Sequence, residues 1–66
     1  MSLVEQATRE LREVEVEINT ARYNLEQTEK SGDSRAVKQA HKQLRKLEQQ
    51  RMKLFKKVNR ARSRGN

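Results

Sequence analysis

The chain has no cysteine, no proline and no tryptophan, and its only aromatic residues are one tyrosine and one phenylalanine. Without cysteine there is no disulfide staple and no thiolate metal site, and thiols say nothing about compartment. Without proline nothing breaks a helix from within, and the two glycines stand at positions 32 and 65. No apolar run approaches the roughly 20 residues that a membrane-spanning helix needs, and the start carries no signal-peptide pattern. The expected setting is therefore intracellular (cytoplasmic, nucleoid or nuclear) or the interior of a virion. Apolar residues are 32% of the chain and aromatics 3%, too little for a globular core but enough for one helical seam. The single histidine, His41, has no second imidazole or thiol at metal-ligand spacing, and no nucleophile–base pair can be assembled. The reading is of a protein without catalytic residues, metal or cofactor.

What the chain does have is periodicity. Val4, Ala7, Leu11, Val14, Ile18, Ala21, Leu25 and Thr28 alternate three- and four-residue spacings without a break, which is a heptad seam with a and d positions filled in turn. Ser2 followed by Glu5 forms the capping-box pattern ahead of it. A second seam runs Val37, Ala40, Leu44, Leu47, then Leu54, Val58 and Ala61, interrupted only by Arg51 at an a position. Between them, Lys30-Ser31-Gly32-Asp33-Ser34 ends one helix and starts the next: Gly32 as the left-handed residue past the first, Asp33 or Ser34 as the cap of the second.

These signals predict an all-α, antiparallel coiled-coil hairpin in a single domain. Helix one covers about 3–30, the turn 31–34, helix two about 35–61, and a basic tail 62–66. Facing residues then sum to about 65, so every a meets a d and every alanine meets a larger side chain. In that register Arg22 lies near Glu48, and Glu10 near Lys57. A long dimer with a helical Gly32 region is the rival arrangement, disfavoured because Ser, Gly, Asp and Ser stand together there. Two helices bury little, so the hairpin is expected to associate into a dimeric four-helix bundle.

The net charge of +7 hides a split. Residues 1–30 hold four Lys/Arg against seven Asp/Glu, a balance of −3, whereas residues 31–66 hold twelve against two, a balance of +10. On the b, c and f positions of helix two there is no acid at all, so Lys38, Lys42, Arg45, Lys46, Lys53, Lys56 and Arg60 make a cationic ridge. At about 1.5 Å per residue it is about 33 Å long, and Arg62 and Arg64 extend its charge into the tail. Such a ridge suits a phosphate backbone, and nothing aromatic is interleaved with it for single-stranded stacking. Duplex or structured RNA, or DNA, is the expected partner. The competing readings are a plain solvated helix face and an assembly module that docks on an acidic protein. A third reading, a basic amphipathic helix over residues 51–58 for a membrane surface or a hydrophobic groove, would spend the apolar face that the hairpin needs.

Four residues off the ladder, and Arg51 on it, complete the candidates for oligomer or partner contact. Val16 and Tyr23 share the outer f position of helix one. Met52 and Phe55 flank the second seam, and Phe55 is expected to cap it from an e position. Arg51 is expected to reach one of the surrounding glutamates, Glu10, Glu13, Glu15 or Glu17, or else to pair with another copy. No residue motif assigns the chain to a known family.

Overall fold

The computed structural model describes residues 2–65, with side chains through residue 63. Two helices fold back on each other: α1, Leu3–Ser31, and α2, Ser34–Gly65. The pair forms a rod whose Cα atoms span 50 × 15 × 11 Å.

The start of α1, its end and the start of α2 each have a local chemical reason. The Ser2 hydroxyl oxygen accepts the Glu5 backbone N–H at 3.1 Å, satisfying one of the free amides of the first turn. α1 stops because Gly32 turns left-handed, at φ 78° and ψ 6°, and its N–H donates to the Glu29 carbonyl. Glycine alone takes that conformation without a side-chain penalty. Asp33 then starts α2 at once: its Oδ1 accepts from the backbone N–H groups of Arg35 at 3.1 Å and Ala36 at 3.3 Å. With only Gly32 and Asp33 between them, the helices have no room to do anything but run antiparallel.

The buried residues are Ala7, Val14 and Ile18 of α1 and Ala40, Leu47 and Val58 of α2. Val14, Ile18 and Leu47 form the centre, with Ala21, Leu44 and Leu54 packed against them. All the other expected seam positions are partly buried, with one exception, Arg51. The register is fixed independently by charge. Arg22 lies 3.8 Å from Glu48 and Lys57 lies 3.6 Å from Glu10, both across the seam. Exposed pairs of this kind contribute about 0–1 kcal/mol each, so they orient the helices more than they hold them.

Two expectations are corrected. α2 does not give way to a tail at Ala61 but continues to Gly65. Nothing in Arg62-Ser63-Arg64 opposes a helix, and the Ser63 hydroxyl donates back to the Asn59 carbonyl at 3.1 Å within the continuing turn. Phe55 does not cap the seam either, since 53% of it is exposed. Leu54 and Val58 already supply the inward side chains at this level, and the e position leaves the ring facing water.

Candidate nucleic-acid interface

Around a heptad helix the positions run a-e-b-f-c-g-d, so b, f and c form one continuous outer arc once a and d face a partner helix. In α2 that arc carries Lys38, Lys42, Arg45, Lys46, Lys53, Lys56 and Arg60, and all seven are exposed. Among the described residues none of them has a carboxylate within 4 Å. The ion pairs engage other cations: Arg22, Lys30, Arg51 and Lys57.

The reason lies in where the acids are. α2 and its cap carry only two, and both are engaged: Asp33 on backbone amides and Glu48 on Arg22. Of the acids on α1, Glu10 and Glu15 meet Lys57 and Arg51 at the edges of the seam, and Glu26 holds Lys30 within its own helix. Three of the four ion pairs among the described residues therefore lie between the helices, and none of the four reaches the outer arc.

Along the rod the arc divides in two. Lys38, Lys42, Arg45 and Lys46 form one group, and Lys53, Lys56 and Arg60 the other, with Gln49 and Met52 between them. Three of the first group, Lys38, Lys42 and Arg45, share a shallow depression with His41. Sequence reasoning places His41 simply on the surface, outside the ridge. Its spacing of three from Lys38 and four from Arg45 is the signal that joins it to this group. Arg62 is exposed on the same helix, while the Arg64 side chain lies outside the described residues.

The remaining candidates separate. Val16 and Tyr23 are exposed on the outer side of α1, Met52 and Phe55 on α2, and the two pairs do not share a patch. Arg51 turns its guanidinium to Glu15, with Nε 4.0 Å from a carboxylate oxygen, so the glutamate of its own hairpin takes it. Among the described residues no group of three or more His, Cys, Asp or Glu side chains could hold a metal ion. No helix among them is long and apolar enough to cross a membrane.

No family model, curated protein or solved structure matches the chain. The functional reading therefore stands on this geometry.

Proposed function

We propose that the chain is a non-catalytic nucleic-acid-binding module that takes the phosphate backbone of duplex or structured RNA, or of DNA, along the outer arc of α2. In this reading the hairpin is an antiparallel coiled coil that works self-associated, two copies making a four-helix bundle. The observation that carries the proposal is the set of seven exposed cations on one face, none of them within 4 Å of a carboxylate among the described residues. A protein that only needed a solvated face would gain from mixing signs along it, as the α1 surface does. Each phosphate neutralised by the arc releases condensed counterions, and this term supplies affinity without reading sequence. A stiff rod whose α2 arc holds no aromatic ring at its b, c and f positions favours shape and backbone contacts over stacking on single strands.

The test is a titration with duplex RNA, duplex DNA and single-stranded RNA of equal length over several salt concentrations. Micromolar or tighter duplex binding with a steep log–log salt slope, abolished when Lys42, Arg45 and Lys53 are all changed to Glu, is the expected result. Binding no tighter than that of an unstructured peptide of the same charge overturns it and directs the search to an acidic protein.

A further inference from the structure

The hairpin has a second distinctive surface, on the flank away from the ion pair of Arg22 and Glu48. There a groove opens between the helices, with Ala21, Ala40 and Leu47 at its base and Val16, Tyr23 and Gln43 around it. Val16 is 62% exposed and Tyr23 64% exposed, although both are apolar enough to favour burial. The rod also has little interior of its own: among the described residues six are buried, and no large side chain is fully enclosed.

Charge selects what fits this groove. Thr20, Asn24 and Gln43 line it together with the apolar residues, and Glu17 is its one charged residue. A polyanion finds no cation there. A two-fold contact sets a patch against the same patch of the other copy, so a face of one charge sign repels itself. Amides and hydroxyls both donate and accept, and so can pair with their own copies. In a chain of net charge +7, this nearly neutral groove is suited to self-contact in a way the α2 arc is not.

We infer that a second copy of this chain docks here, with α1 antiparallel to its counterpart about a two-fold axis beside Thr20. Val16 and Tyr23 are seven residues apart, about 10 Å along the helix, with Thr20 near the midpoint. The antiparallel arrangement sets Val16 against the partner's Tyr23, and each tyrosine at the Leu47 level of the other groove. This location rests on the self-association proposed above and adds where it occurs. It also leaves both cationic arcs outside the contact.

The absence of cysteine makes the geometry directly testable. Thr20→Cys introduces the one thiol of the chain at the axis, and Gln49→Cys introduces one on the arc as a control. Under mild oxidation the Thr20→Cys protein is expected to form a covalent dimer in high yield, and the Gln49→Cys protein is not. Tyr23→Ala is expected to weaken the dimer at least tenfold by sedimentation, with helix content unchanged because the ring is exposed. A native chain that sediments as a monomer up to millimolar concentration overturns self-association and the interface together. A native dimer that survives Tyr23→Ala, with no preferential Thr20→Cys cross-link, overturns this interface alone.

Discussion

Arg51 occupies an a position in the seam of α2, yet it lies at the surface, its Nε 4.0 Å from the Glu15 carboxylate, with about half of each side chain exposed. The long stem lets the charged head escape while the backbone stays in register. The seam is therefore incomplete at this layer, between the Leu47 and Leu54 levels. Arg51→Leu is expected to raise the melting temperature, since a leucine there adds apolar burial at the loss of one weak, solvent-screened pair. A gain of about 1 kcal/mol corresponds to about 4–8 °C in a chain of this size. Thermal unfolding followed by circular dichroism measures it, and an unchanged or lower melting temperature contradicts this account of the layer.

The turn makes a separate prediction. A methyl group placed on Gly32 would meet nothing within 4 Å, so any cost of Gly32→Ala comes from the backbone at φ 78° and not from a clash. That cost is about 1–2 kcal/mol. Gly32→Asn should lose less, because asparagine tolerates the left-handed region better than alanine. Chemical denaturation of the two variants ranks them.

Asp33→Ala removes the oxygen that accepts two amides at the start of α2. The expected loss is about 1 kcal/mol, typical of a helix cap. Asp33→Ser should restore most of it, whereas Asp33→Lys should not. The same denaturation series reports both.

Leu47→Ala and Phe55→Ala form a contrast within one helix. Leu47 is in the buried centre and its truncation is expected to cost about 2–5 kcal/mol, enough to unfold a hairpin this small. Phe55 is the larger residue, yet its exposure predicts a smaller loss. Equal losses would mean that the ring packs against the seam in solution.

Lys42 and Lys56 are fourteen residues apart on the outer arc, about 21 Å along the rod. If both groups of the arc engage the same duplex, Lys42→Gln and Lys56→Gln should each lower the log–log salt slope by about one. A slope that falls for only one of them would confine binding to half of the arc.

Much of this fold was legible in the sequence because the relevant signals are local and periodic. The three–four spacing from Val4 to Thr28 dictates one face, Gly32 and Asp33 dictate a reversal, and together they determine which residues meet. Even the pairs Arg22–Glu48 and Glu10–Lys57 follow from register alone. The exposure of Phe55 was less legible, since an e position borders the seam and either orientation satisfies the pattern. The groove beside Tyr23 was hidden for another reason. It is shared by Thr20 and Asn24 of one helix and Gln43 of the other, and no spacing within a single helix connects them. The cationic arc could be read residue by residue, but its lack of carboxylate partners depended on seeing where each glutamate turned.

Because helices of opposite charge balance lie side by side, the charge of the rod is separated across its width, acidic on the α1 side and basic on the α2 side. In the field of an extended polyanion that separation exerts a torque that rolls the rod about its long axis. If the arc is the binding face, it is then turned toward the opposite charge before contact, and rolling is the part of the rotational search that the field shortens.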